Sequence, residues 1–152
     1  MSIPSPMSSD GGVSRFLPAA PLGHAGLAAD FGVQDLVLVD PAVLKDLEDQ
    51  LDGRAVAQRF VSDYKDMWEQ RFRRLAAAVA VQDWPTAMDA VISLKISSSM
   101  VGAQRLAWLA ESLEKLIRRE DYTTGNALLA DIAEHGGQTI RELRFIYLEA
   151  AE

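Results

Sequence analysis

The chain has 152 residues, a formal net charge of -7, 49% hydrophobic residues, two histidines and no cysteine. This length supports one domain with a sizeable core plus a tail. The missing thiols exclude disulfides, thiol catalysis and thiolate metal sites, and two histidines are too few for a closed zinc site.

The acidic balance opposes adsorption to nucleic acid or anionic lipid. The densest basic runs, Arg71-Phe72-Arg73-Arg74 and Arg118-Arg119, sit among acids at helical spacing, as solvated helix faces do. No cationic segment followed by an apolar one opens the chain, and the longest uncharged apolar run, Leu75 to Val81, is far short of a membrane span. The expectation is a soluble, cytoplasmic protein with no cofactor, no metal, no nucleic-acid partner and no membrane contact.

Two segments are predicted, residues 1–35 and 36–152. Ser, Pro, Gly and Ala dominate the first, as in Ser2-Ile3-Pro4-Ser5-Pro6 and Ser8-Ser9-Asp10-Gly11-Gly12. Such a composition buries too little surface to offset its ordering entropy, so a flexible N-terminal tail is expected. Scattered apolar residues, Phe16, Leu17, Leu22, Leu27 and Phe31, leave two options open: a loosely attached leader, or a short helix or docking peptide.

Helix punctuation begins after residue 35. Asp40-Pro41 reads as an N-cap with proline at the first helical position, where its missing N–H costs nothing. Val43, Leu44, Leu47 and Leu51 follow at steps of three and four, with Gly53 placed to end the turn. A second helix is predicted from about Arg54 to Gln82 on a stripe of Val56, Phe60, Tyr64, Met67, Trp68, Leu75 and Val79. Asp83-Trp84-Pro85 breaks and restarts the pattern. A third helix then runs to about Val101, with Ala87, Ala90, Val91, Leu94 and Ser98 inward and Gly102 as its stop. A fourth, Ala103 to Arg119, buries Leu106, Leu109, Leu113 and Leu116. The turn Glu120-Asp121-Tyr122 leads to a fifth through Leu128, Ile132, Ile140, Leu143 and Tyr147. Sustained period-two alternation is missing. The predicted fold is all-α, an antiparallel up-and-down four-helix bundle with a short additional N-terminal helix.

Gly136-Gly137 conflicts with the last helix, since two interior glycines cost about 2 kcal/mol relative to alanine. The apolar phase agrees on both sides of the pair, which favours a continuous or mildly kinked helix. Asp131 and His135, an i and i+4 pair, are read as a solvated surface pair rather than as metal ligands, because no further ligand is evident.

The third helix carries a more specific pattern: Asp83-Trp84 before the helix, then Leu94-Lys95, Ser97-Ser98, Gly102-Ala103 and Leu106. In order, length and these residues, about residues 36 to 150 resemble a histidine phosphotransfer (HPt) domain. That family carries H-x-L-K-G-S where this chain reads Ile92-x-Leu94-Lys95-Ile96-Ser97. The resemblance implies a degenerate member with Ile92 at the phosphoacceptor position. In the family, the histidine accepts a phosphoryl group from a receiver-domain aspartate and passes it on. The lysine three residues later supports the phosphate, and the glycine four residues later lets the partner backbone approach.

Each residue type has a chemical reason. Imidazole on a solvated helix face offers a nitrogen nucleophile near neutral pH, an ammonium at i+3 lies on the same face, and a glycine removes a side chain from the docking patch. Of the three, this sequence retains Lys95. Ile92 has no nucleophilic atom, Ile96 adds a branched side chain, and no base is positioned to activate Ser93, Ser97, Ser98 or Ser99. His24 and His135 lie outside the motif.

The leading expectation is a non-catalytic, HPt-like signalling module in a two-component phosphorelay. It binds a response-regulator receiver or a histidine-kinase domain through Ile92, Lys95, Ile96, Ser99 and Met100 without accepting phosphate, as a monomer or weak homodimer. The competing expectations are ordinary core positions for both isoleucines, and a structural, self-associating or scaffolding bundle. An enzymatic reading would use Gln104 or Glu111 to place water on a receiver's acyl phosphate, but nothing ties those residues to the patch. Signatures of other chemistry, such as G-x-x-x-x-G-K-[ST] and H-E-x-x-H, are missing from the sequence.

Overall fold

The computed structural model describes residues 33–149. Of the expected tail, residues 1–35, the first 32, with the scattered apolar residues and His24, lie outside the described part. A 3-10 turn, Val33–Asp35, precedes the unit that begins at Leu36. That unit contains α1 (Pro41–Gln50), α2 (Arg54–Ala80), α3 (Trp84–Met100), α4 (Gln104–Arg118) and α5 (Tyr122–Leu143), and α5 runs on into a π-helical stretch, Arg144–Glu149. No strand occurs among the described residues. The long helices pack in a ring, α2 on α3, α3 on α4, α4 on α5 and α5 on α2, while α1 lies against α2 and α3. This is the all-α bundle with one short extra helix that the sequence pattern implied.

Very short turns make the arrangement antiparallel, and their chemistry is local. The α2, α3 and α4 helices end on a residue of positive φ: Gln82 (57°), Gly102 (78°) and Glu120 (56°). The next residue at once starts the following helix. The backbone N–H groups of Gln82 and Asp83 donate to Val79 O and Ala78 O, and the same paired closure recurs at Gly102-Ala103 and Glu120-Asp121. Carbonyls at the helix ends are thereby satisfied without added loop. Aspartates cap three helix starts: Asp40 accepts from Ala42 N at 2.9 Å, Asp83 from Thr86 N at 3.3 Å and Asp121 from Thr124 N at 3.1 Å.

Gly102 is needed for proximity as well as for its φ. A Cβ there would lie 2.7 Å from Asp40 O, and the Gly102 carbonyl accepts from Asp40 N at 2.8 Å. Gln104 Nε2 donates to Asp40 Oδ2 at 3.1 Å, and Arg105 Nε to Leu36 O at 2.7 Å. These bonds fix the start of α1 on the α3–α4 turn. Gly53 closes the turn after α1 as expected, with φ 121° and its N–H donating to Glu48 O at 2.8 Å, and it is also the residue that precedes α2; Asp52 before it has φ 69°.

On α3 the inward set is the expected one: Ala87, Ala90, Val91, Leu94 and Ser98 are buried. Elsewhere some stripes are shifted by one residue. Val56 and Met67 were expected inside α2 but are 36% and 40% exposed, and Ala57 and Val61 are buried instead. Ile117 and Leu129 are buried where Leu116 and Leu128 were expected. Adjacent apolar residues lie about 100° apart on a helix, so a pair such as Leu128-Leu129 leaves the choice between them to the neighbouring helix.

The Gly136-Gly137 pair sits within a continuous α5. Its reason is contact: a Cβ on Gly136 would come 1.8 Å from Cζ2 of Trp68, whose ring stacks on Phe72 at a centroid separation of 5.8 Å. The indole of α2 occupies the space that a side chain on α5 would need. His135, read from sequence as a solvated surface residue, is instead buried at 6% exposure, and its Nδ1 has no hydrogen-bond partner. The contact of Gly136 with Trp68 puts this part of α5 against α2 and carries the preceding residue inside. No group of three or more metal-ligating side chains occurs among the described residues.

The π-helical stretch widens the helix and places Tyr147 against α1 and α2. Tyr147 OH donates to Glu48 Oε2 at 2.7 Å, the Arg54 guanidinium lies 4.6 Å over its ring, and Gln58 Nε2 donates to Tyr147 O at 3.1 Å. The tyrosine's hydrogen bond, with the charges of Arg54 and Lys45, holds the Glu48 carboxyl below its usual pKa despite desolvation. Burial, reinforced by Glu48, pushes the Tyr147 hydroxyl up to about 12.

The two adjacent glycines should respond oppositely to alanine. Gly136→Ala gains about 1 kcal/mol of helix propensity but forces Trp68 to move, for a net loss of about 1–3 kcal/mol. Gly137→Ala meets nothing nearer than Arg141 Nη1 at 3.6 Å and should stabilise by up to about 1 kcal/mol. Urea unfolding of both variants beside the parent checks the pair of signs.

Candidate functional site

The buried stripe of α3 fixes what the helix presents to solvent. At about 100° per residue, burial of Ala87, Ala90, Val91, Leu94 and Ser98 turns Asp89, Ser93, Ile96 and Ser99 outward. Ile96 lies near the middle of this stripe and is 54% exposed, a large value for an aliphatic side chain. Ile92 and Lys95 lie on its flank and are half-buried, Ser99 is exposed, and Met100 is half-buried at the helix end. The five residues singled out from sequence thus fall on one side of α3, and neither isoleucine is sealed in the core.

Lys95 is placed differently from the sequence expectation. Its Nζ donates to Glu114 Oε1 on α4 at 2.6 Å, and Arg118 Nη2 donates to Glu114 Oε2 at 2.7 Å. The ammonium is thus drawn to the α3–α4 seam. The Glu114 side chain is only 10% exposed. Burial pushes its carboxyl pKa up, but the hydrogen bonds and charges of Lys95 and Arg118 outweigh this and hold it below the ordinary value of 4.5. Sequence reasoning missed Glu114, although an acid inside the leucine stripe of α4, four residues before Arg118, was a usable signal.

The serines of α3 are divided between structure and surface. The Ser98 hydroxyl is buried and lies 2.7 Å from Tyr64 OH, whose pKa burial pushes up to about 12. Ser97 Oγ donates to Ser93 O at 2.9 Å and is held to its own helix. Ser93 and Ser99 are exposed. Gln104, weighed above for placing water, is engaged with the Asp40 carboxylate, and Glu111 is exposed on α4. The imidazole of His135 is on α5, within the core.

Glu114 gives the bundle a definite acid response. Its folded pKa is depressed, so its contribution to stability is complete above about 4.5 and is lost as pH falls through the lower folded value. Glu114→Gln should cost about 1 kcal/mol at pH 7. The gap from the parent should close on acidification below pH 4.5, as read by denaturant unfolding across that range.

Comparison with known proteins agrees with this geometry. The Hpt domain model matches residues 59–144, more than half of the chain's 152, from early α2 to the end of α5. The crystal structure of histidine-containing phosphotransfer protein B (HptB) from Pseudomonas aeruginosa PAO1 is similar at a TM-score of 0.67 and 22% identity. The match covers 74% of this chain and 96% of that one, a likeness of fold. No curated protein sequence matches the chain. No helix among the described residues is long and apolar enough to cross a membrane. With its helical order, its ring of four long helices and the span of the family match, the chain belongs to the Hpt domain family, the helical phosphotransfer modules of two-component signalling.

Proposed function

We propose that this chain is a non-enzymatic docking module of a cytoplasmic phosphorelay, one that binds a response-regulator receiver or histidine-kinase domain without carrying phosphate. The observation that carries the reading is Ile96, 54% exposed on the outward stripe of α3, beside a half-buried Ile92 where the family pattern has its phosphoacceptor histidine. An isoleucine side chain is saturated hydrocarbon and has no lone pair to attack phosphorus. Phosphoryl transfer to residue 92 is chemically closed.

Recognition remains open. Ile92, Ile96 and Met100, at i, i+4 and i+8, offer a narrow apolar ridge that a partner helix can cover, bordered by Lys95 and Ser99. An exposed aliphatic side chain flanked by polar groups recovers about 25 cal/mol for each Å² of apolar area removed from water. The ridge is too small for a strong symmetric dimer, since stable interfaces bury about 800 Å² on each partner. The protein is accordingly a monomer or a weak homodimer.

Two measurements test the proposal. Incubation with a receiver domain phosphorylated by a radiolabelled donor should leave no label on this chain, and label on it would overturn the reading. In calorimetric titrations against receiver and kinase dimerisation domains, Ile96→Asp should weaken binding at least tenfold with the helical circular dichroism unchanged, and Lys95→Glu should weaken it less. Unchanged affinity in both variants would remove the face from the proposal.

A further inference from the structure

We infer that the α3 face discriminates between the two chemical states of a receiver, binding the form with a free aspartate in preference to the acyl phosphate. The inference rests on the docking reading above and adds the partner's state to it. It stands on one juxtaposition: the lysine of the face is turned into the α3–α4 seam while a carboxylate stands in the exposed stripe.

The diverted cation is Lys95. Its ammonium is 2.6 Å from Glu114 Oε1, and Arg118 holds the second oxygen of that carboxylate at 2.7 Å. The pair lies in the α3–α4 seam with the acid side chain 10% exposed and the lysine side chain 32% exposed. Drawing Nζ out to meet an incoming phosphate would leave the largely covered carboxylate with Arg118 alone and forfeit a charge-assisted hydrogen bond. The lysine is therefore a poor donor to an anion docked over Ile92.

The exposed carboxylate is Asp89. It lies three residues before Ile92 and seven before Ile96, so it shares their side of the helix. Asp89 is exposed and has no ion pair among the described residues. Side chains on a helix lean toward its N-terminus, so Ile92 leans toward the turn that carries Asp89, one turn before the ridge begins. A receiver whose aspartate sits over Ile92 meets hydrocarbon flanked by one negative charge.

Phosphorylation replaces the single charge of that carboxylate by the roughly two of the acyl phosphate, a net gain of about one negative charge within roughly 10 Å of Asp89. At that separation, near one Debye length at physiological salt, the repulsion costs on the order of two- to threefold in affinity. A module with this preference holds receivers that have already given up, or not yet received, their phosphoryl group. It holds them a few-fold more weakly once they are phosphorylated.

The test titrates the full chain with a receiver domain, unmodified and as its beryllofluoride complex, the latter standing in for the acyl phosphate. Wild type should bind the unmodified receiver about two- to threefold more tightly. Asp89→Asn, an exposed change that leaves the bundle intact, should bring the ratio to about one, and Asp89→Asn combined with Glu114→Gln, which frees Lys95, should reverse it. Equal affinities in the wild type, tighter binding of the beryllofluoride form, or a ratio that Asp89→Asn does not move would overturn the inference and leave docking standing. No binding in either state would overturn docking and the inference together.

Discussion

The rotational setting of α3 is the constraint on which the rest depends. Five inward positions, Ala87, Ala90, Val91, Leu94 and Ser98, are small or aliphatic and fully packed, and the last is tied to Tyr64 by a buried hydrogen bond. Turning the helix by one residue would carry a serine hydroxyl away from its partner and bring Lys95 or Asp89 toward the core. The helix therefore has one stable phase. In that phase Ile96 faces water and Ile92 stands half-covered at its side.

The same phase decides the electrostatics. Lys95 lies on the flank nearest α4, close enough to reach a carboxylate set inside the leucine stripe of that helix. Glu114 accepts from a lysine on another helix and from an arginine one turn later on its own. The triad joins α3 to α4 and uses the lysine's charge internally. A residue type that the family pattern associates with holding phosphate is here engaged in the bundle's own seam.

At the opposite end, the cluster of Glu48, Arg54, Gln58 and Tyr147 ties α1 and the start of α2 to the π-helical stretch. Gly102 brings the α3–α4 turn against Asp40, so both ends of α1 are held. The short helix thus acts as a brace whose contacts are polar and specific. Arg54 is six residues from Glu48, but the contacts that fix the two ends of the helix come from far along the chain, since Asp40 meets Gly102 and Glu48 meets Tyr147.

Local chemistry was legible in the chain. The aspartate cap at 40, the proline after it, the breaks at Asp83-Trp84-Pro85 and Glu120-Asp121-Tyr122 and the inward set of α3 all follow from side-chain size, hydrogen-bonding capacity and the 3.6-residue period, which act within a few residues. Three features were not legible: the selection of Leu129 over Leu128, the burial of His135 behind a glycine that admits Trp68, and the capture of Lys95 by Glu114. Each depends on a residue from another helix, many positions away, arriving at a particular distance. Periodicity fixes which residues share a face, but the neighbour's shape and charge fix which of them that face finally buries, and this is settled only when the helices pack.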